Sequence, residues 1–477
     1  MSGQSKGNLP KPFAQGTVRQ KWVVRCTEEE LSINIKRVKK KVLDLLMRVE
    51  QDGAYTHLVL QQAASSGELS AAEYPVLLQL VRGSLEQKVV IEERLAPLLP
   101  KGLQSLPVEV QLVLRLSAYQ ILFLDRVKKR DAVFEAVELV KTSRFRAFAG
   151  LVNAVLRRLE PRCSTDGNHQ LVDATRNYPQ WLVDRWIQQH GSEDVQQFCA
   201  TSGAAIPVYC RVNTSVLSPG ELREVLAAER LESEEVDCSP HSLRLVHIPP
   251  SVRITSLDSY KKGLFFIQDA SSTIVADIVA RGSPRRVRDL CAAPGGKACS
   301  IALSIAHSGG VVHASDRAHK RVGLIGALAE RLRLSNVIPA VSELGAEGHA
   351  PKESYDAVLL DVPCSGFGTV GRKVDVRWSL TELQLIELVQ LQKTLLSAAA
   401  GFVSEGGVLV YSTCSIDRDE NEGVVEAFLD SRRDFVRESF ADTLSRIVCT
   451  DDGYFRSWPH RHRMAGAFAA KLRRVNA

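Results

Sequence analysis

The chain has no run of eighteen or more apolar residues, and its opening stretch, "MSGQSKGNLPKPFAQGTVRQKW", has no apolar middle. The first absence argues against a membrane-spanning helix and the second against a secretory signal. A cytoplasmic protein is expected, with an organelle transit peptide as the alternative that the basic, acid-poor opening leaves. The ten cysteines form no C-x-x-C pair and do not cluster with histidines, so neither a disulfide framework nor a metal site is expected. Internal repeats and long low-complexity segments are also missing. What is present is ordinary for a soluble globular protein: 45% hydrophobic and 24% charged residues, in a chain of 477 that is long enough for two or three separate cores. The net charge of +6 is too diffuse to name a partner, and the local clusters say more.

Past a basic tail ending near Lys21, apolar positions repeat at three and four through "INIKRVKKKVLDLLMRVEQ", "LPVEVQLVLRLSAYQILFL" and "DAVFEAVELVKTS". They predict an all-α domain over residues 22–162, closed where Pro161 and the Ser, Asp, Gly and Asn after it open a linker. A small α/β unit is expected over 175–262, with the helix "PQWLVDRWIQQHG", the helix "PGELREVLAAERL" and strands at "VYCRVNTS", "SLRLVHI" and "FFIQDA". Over 263–477, helical patterns alternate with the strands "RVRDLC", "GVVHASD", "DAVLLDV" and "GGVLVYSTC". That alternation predicts a parallel, doubly wound, Rossmann-like sheet whose ligands sit at the carboxyl ends of the strands.

The first of those strands runs into "CAAPGGK", residues Cys291, Ala292, Ala293, Pro294, Gly295, Gly296 and Lys297, and then a helix. Glycines there let backbone approach a ligand at a helix N-terminus, although a tight turn alone would also use them. A phosphate-binding loop is disfavoured, since Cys291 stands where its first Gly belongs and Ala298 follows Lys297; the dinucleotide fingerprint is missing too. A nucleoside ligand with little phosphate remains. Asp316 supports it, ending the next strand where an acidic residue can meet ribose hydroxyls, or else cap a helix. S-adenosyl-L-methionine fits both features.

Two more strands end in "DVPCSG" and "STCS", so Cys364, Cys414 and Asp361 should share the same crevice. A lone buried cysteine is ordinary core filler. The set matches what methylation of cytosine carbon 5 requires: a thiolate that adds to carbon 6, a carboxyl that protonates ring nitrogen 3, and a second group that completes the elimination.

The segments "DLCAAPGGKACSIA", "YDAVLLDVPCSGFGTVGR" and "LVYSTCSIDRDENEGVVEAFL", with "FFIQDASS" and "RSWPHRHRMAGAFAAKL", resemble the signatures of the Sun-type RNA (cytosine-5) methyltransferases. The resemblance implies that Cys414 is the nucleophile, that Cys364 assists product release, and that Cys291 to Lys297, Asp316 and Asp361 bind the cofactor. The helical unit, through "AYQILFL", "DAVFEAVELVK" and "LVNAVLRRL", resembles the NusB-like RNA-binding fold, which precedes the methyltransferase in bacterial enzymes acting on small-subunit (16S) ribosomal RNA. That rRNA is therefore the implied partner, and a monomer the expected state. The chain departs from the family at Ser342 and Glu343, where an aspartate is common, and in "GRKVDVRW", where Lys373-Val374 replaces His-Pro and Arg377 replaces Lys.

Basic clusters at Lys39, Lys40 and Lys41, at Lys128, Lys129 and Arg130, at Arg144, Arg146, Arg157 and Arg158, and at Lys261 and Lys262 are candidate RNA contacts, and Arg377 a candidate phosphate ligand. Two other readings stay open: a DNA cytosine-5 methyltransferase with Cys364 as nucleophile, and a non-catalytic RNA-binding or assembly factor.

Overall fold

The computed structural model describes residues 34–70, 72–160, 174–201, 207–249, 252–344, 353–441 and 444–476. The expected basic tail, the expected start at residue 22 and the linker after Pro161 lie outside the described residues.

Helices α1 (Ile35–Asp52), α2 (Thr56–Ser65), α3 (Glu73–Glu86), α4 (Lys88–Leu95), α5 (Val108–Phe123), α6 (Lys129–Lys141) and α7 (Ala149–Arg158) form the first part. In α1 the recurring Val38, Val42, Leu45 and Leu46 are all buried, and the Asn34 side chain caps the helix by accepting the Arg37 N–H at 3.1 Å. α5 is the axis of this domain, buried on every side from Val110 to Leu122. Its one buried cation, Arg115, is paired with Glu50 at 2.8 Å and Glu92 at 2.9 Å, as a charge in a core must be.

The second part holds α8 (Gln180–His190), α9 (Ser192–Thr201), α10 (Pro219–Ala228) and α11 (Asp258–Lys261) with an antiparallel sheet in the order β2-β3-β1-β4, made of β1 (Val208–Val212), β2 (Glu232–Glu235), β3 (Ser242–His247) and β4 (Phe265–Ile267). β2 reads "ESEE", with no apolar alternation to announce it. β4 pairs with β1, so this sheet uses residues beyond the expected boundary at 262.

The third part runs α12 (Ala270–Ala280), β5 (Arg286–Leu290), α13 (Gly296–Ile305), β6 (Val311–Asp316), α14 (His319–Arg331), β7 (Val337–Val341), β8 (Tyr355–Asp361), α15 (Glu382–Ala400), β9 (Val403–Thr413), α16 (Glu422–Ser431), β10 (Phe435–Glu438), β11 (Phe455–Ser457), α17 (Pro459–His462) and β12 (Ala467–Arg474). The sheet order is β10-β12-β9-β8-β5-β6-β7, with β11 on β12. Strands β7, β6, β5, β8 and β9 are parallel. Alternate residues face opposite layers: Ala357, Leu359, Val408 and Val410 pack toward α12, α13 and α14, and Val358, Leu360, Leu409 and Tyr411 toward α15 and α16. The expectation of a parallel sheet needs one correction, because β12 runs antiparallel between β9 and β10, giving a mixed sheet. β12 follows β11 after a nine-residue connection, Trp458–Gly466, that includes the four-residue α17, short of the dozen or so residues that parallel pairing needs.

The helical domain touches the third part where Arg82 of α3 donates to the Gly371 carbonyl. Nearby, Trp186 of α8 meets Tyr178, Phe198 and Phe367 edge-on, with centroids 5.7, 5.4 and 5.3 Å away. Such contacts contribute roughly 0.5–1.5 kcal/mol each beyond area burial and fasten the loop that follows Cys364.

Candidate active site

The turn of residues 291–297 hangs from the end of β5. Cys291 adopts φ 63°, the Ala292 N–H donates to the Ser315 carbonyl at 2.8 Å, and the Gly295 N–H closes back on the Ala292 carbonyl at 2.8 Å. Gly295 has φ 103°, and a Cβ there would lie 3.0 Å from the Ile325 backbone. A side chain therefore cannot replace it without moving α14. At the first residue of α13, a Cβ on Gly296 would sit 3.1 Å from the Gln268 side-chain nitrogen. The turn thus leaves a cradle at a helix N-terminus with an amide aimed at it, which suits the amino-acid end of a nucleoside ligand.

β6 and β8 flank β5, so their carboxyl ends are adjacent. Asp316, ending β6, is buried; its Oδ1 accepts the Ala318 N–H at 3.1 Å and its Oδ2 lies 3.4 Å from Arg321. The N-cap of α14 is Ala318, so Asp316 is not that cap. Arg321 also donates to the Ala293 carbonyl at 3.1 Å and links the aspartate to the turn. Ser342 follows β7 on the same edge, its N–H donating to the Asp316 carbonyl at 3.1 Å. Asp289 is fully buried in β5, with neither carboxylate oxygen hydrogen-bonded. Burial, reinforced by the charge of Asp361, pushes its carboxyl well above the usual range.

Asp361 closes β8, accepting from Lys297 Nζ at 2.6 Å and from the Ser412 hydroxyl at 2.8 Å. Burial would lower the Lys297 ammonium, but the charge and hydrogen bond of Asp361 outweigh it and raise it. The two sulfurs follow. Cys364 Sγ and Cys414 Sγ are 3.2 Å apart, and the Cys414 N–H points at Cys364 Sγ at 3.3 Å. The loops that carry them are clasped by Gly368, whose N–H meets the Cys414 carbonyl at 2.9 Å while its carbonyl takes the Gly466 N–H at 2.9 Å. A Cβ on Gly368 would fall 2.0 Å from the Gly466 oxygen. Asn421 braces the Cys414 side, accepting from Thr413 Oγ1 at 2.5 Å and donating to the Ser415 carbonyl at 3.1 Å.

The thiols are driven apart electrostatically. The hydrogen bond with Cys364 lowers Cys414 below an ordinary thiol, opposed by burial and the charge of Asp361 and helped by Lys373 and Lys297. That same hydrogen bond, burial, and the charges of Cys414 and Glu420 raise Cys364. Of the two, Cys414 is the sulfur whose ionisation the surroundings favour and Cys364 the one whose ionisation they oppose.

Sequence reasoning placed Asp361, Cys364, Cys414, Asp316 and the 291–297 turn at one edge, and the structure gathers them there. It missed Arg321, Asp289, Gly368 and Asn421. Two RNA candidates need correction. Lys39 is buried against Glu135, a partner from α6 invisible to local pattern. Arg377 is buried too, donating to the Val374 carbonyl at 3.1 Å with its guanidinium 4.4 Å from the Tyr178 ring, so it is not a surface phosphate ligand. Lys40, Lys128, Arg130, Arg144, Arg146, Arg157, Arg158, Lys261 and Lys262 are exposed.

Residues 36–161 match the NusB family, 178–251 a ferredoxin-like domain of RsmF/B-like methyltransferases, and 279–473 the 16S rRNA methyltransferase RsmB/F family. The probable ribosomal RNA small subunit methyltransferase B of Bacillus subtilis (strain 168) is 33% identical over 447 residues, covering 92% of this chain and 98% of that protein. The chain belongs to the RsmB/F family of 16S rRNA methyltransferases. Among solved structures, PH0851 superposes with a TM-score of 0.77 at 23% identity, covering 93% of this chain and 99% of that one. A methyltransferase homolog protein from Pyrococcus horikoshii gives 0.55 at 29% identity, covering 64% and 99%. Like the RsmB/F family, this protein is an S-adenosyl-L-methionine-dependent rRNA methyltransferase. Among the described residues no helix is long and apolar enough to cross a membrane.

Proposed function

We propose that the protein methylates carbon 5 of a cytosine in small-subunit rRNA through a covalent adduct on Cys414. The observation that carries this reading is the pair of sulfurs 3.2 Å apart with opposite shifts, beside the Lys297–Asp361 ion pair. Residues 291–297, Asp316 and Asp361 hold the cofactor, which when bound supplies an electrophilic methyl group. Cys414, as thiolate, adds to carbon 6. Asp361 protonates ring nitrogen 3, drawing the proton from the Lys297 ammonium, and carbon 5 becomes nucleophilic. Once Cys414 is a neutral thioether, the charge that raises Cys364 is gone; Cys364 then loses its proton to solvent and, as thiolate, takes the carbon 5 proton, while the nitrogen 3 proton returns through Asp361 to Lys297 and the Cys414–carbon 6 bond breaks to release Cys414 as thiolate. The enzyme acts in the cytoplasm as a monomer, with exposed basic residues meeting rRNA phosphates.

The two cysteines should fail differently. Cys414→Ala gives neither methylation nor a covalent complex. Cys364→Ala methylates once and stays attached, seen as a slow band on a denaturing gel that needs S-adenosylmethionine and vanishes in the double variant. If Cys414→Ala traps RNA instead, the roles are reversed and the DNA-type assignment holds; if both single variants turn over normally, the mechanism is wrong.

A further inference from the structure

Each cysteine is followed by a serine, and both serines reach one carboxylate. Glu420, fully buried, accepts from the Ser365 and Ser415 hydroxyls through Oε2, and from the Ser365 N–H at 2.8 Å and Gln392 Nε2 at 2.9 Å through Oε1. The two hydroxyls are themselves 3.0 Å apart. Gln392, on α15, also donates to the Pro363 carbonyl at 3.0 Å, one residue before Cys364. The backbone of Glu420 is held separately, its carbonyl accepting from Tyr411 Oη at 2.6 Å. We propose that Glu420 is the positioning residue for both thiols, its single carboxylate fixing the spacing of Cys364 and Cys414 by gripping the serine after each.

Three features point beyond packing. The donors that meet the carboxyl are all neutral, and burial pushes it above the usual carboxylate range against the pull of those hydrogen bonds, so an ionisable group is kept where a hydrophobic residue would cost less. Its contacts span two loops fifty residues apart in sequence, and on each loop they end one residue from a sulfur. Its charge is also among those that hold the Cys364 proton in place. Glu420 touches neither sulfur by hydrogen bond and acts through Ser365 and Ser415. This inference rests on the two-cysteine reading above.

The test is steady-state methylation of transcribed small-subunit rRNA by the full chain. Glu420→Gln keeps the length but turns one acceptor into a donor facing two hydroxyls. Its kcat should fall on the order of 10–100-fold, as ångström-scale misplacement does, while KM for RNA and for S-adenosylmethionine stays within about twofold. Ser365→Ala/Ser415→Ala should lose a similar factor, and adding Glu420→Gln to it should lose little more, because all three act through one grip. Should Glu420→Gln fail to fold, Ser415→Ala alone, which leaves the carboxylate in place, must still lower kcat with KM unchanged. A folded Glu420→Gln with wild-type kcat, or multiplicative losses in the triple variant, overturns the role. Cys364→Ala and Cys414→Ala are assayed alongside. If they fail as described while Glu420→Gln is fully active, only the positioning role is wrong; if they methylate normally, the reading beneath it is wrong and the role falls with it.

Discussion

Replacing Asp316 separates two jobs that one carboxylate is placed to do. Oδ1 accepts the Ala318 N–H at 3.1 Å, a local bond that steadies the approach to α14, and the side chain stands beside the turn that Arg321 ties to Ala293. Asp316→Ala removes both functions. Loss of a cap-like acceptor costs about 1 kcal/mol of stability. An unpaired ribose hydroxyl costs roughly 1–3 kcal/mol of binding, or about 5–150-fold in Kd. Asp316→Asn keeps an acceptor for the Ala318 N–H but gives up the ion pair with Arg321, so its Tm and its affinity should both fall between those of wild type and Asp316→Ala. Calorimetric titration with S-adenosylhomocysteine, alongside thermal unfolding, reads both effects. Wild-type affinity in Asp316→Ala with a lowered Tm would leave Asp316 as a turn residue and remove it from the cofactor site.

Iodoacetamide labelling of Cys414 against pH should show a midpoint below that of an ordinary thiol, and Cys364→Ala should move it upward by removing the leading hydrogen bond; an unmoved midpoint breaks the assigned asymmetry. Binding of rRNA should weaken steeply with salt, and replacing the exposed Arg157 and Arg158 with Gln should reduce the log–log slope by about 1–2; an equal slope assigns them no phosphate. His462 Nδ1 accepts the Trp458 N–H at 2.7 Å, and burial lowers the ring to about 4. The unfolded chain therefore takes up this proton first, and stability should fall as pH drops from about 6.5 toward 4. In urea titrations at pH 7 and 5, His462→Gln should show a smaller loss than wild type; an equal loss refutes the linkage.

Periodicity carried the fold wherever one face is buried. α1 and α6 repeat apolar positions because one stripe of each packs on α5, and β8 and β9 carry apolar runs because helices cover both their faces. β2 escaped because an edge strand made mostly of glutamates buries almost nothing, and β12 because "AFAAKLRR" is built of strong helix formers and shows no strand alternation. At the site, the residue types at strand ends named the cysteines, Asp361 and Asp316. Long-range pairing was illegible: Lys39 looks solvent-bound until Glu135 is brought to it, and Arg377 until Tyr178 is. One signal was available and unread, since "PCSG" and "STCS" repeat Cys-Ser, and both serines converge on Glu420.

The antiparallel insertion of β12 has a bearing on how the protein is made. β9, which ends beside Cys414, is bonded on one side to β8 and on the other to β12, from Phe468 opposite Thr413 to Arg473 opposite Val408. Synthesis delivers β9 first, so the strand stands as an open edge, apolar on both faces, until Ala467–Arg474 leaves the ribosome. Such an edge recruits other chains. A polypeptide interrupted between β10 and β12 should therefore aggregate rather than persist as a folded protein.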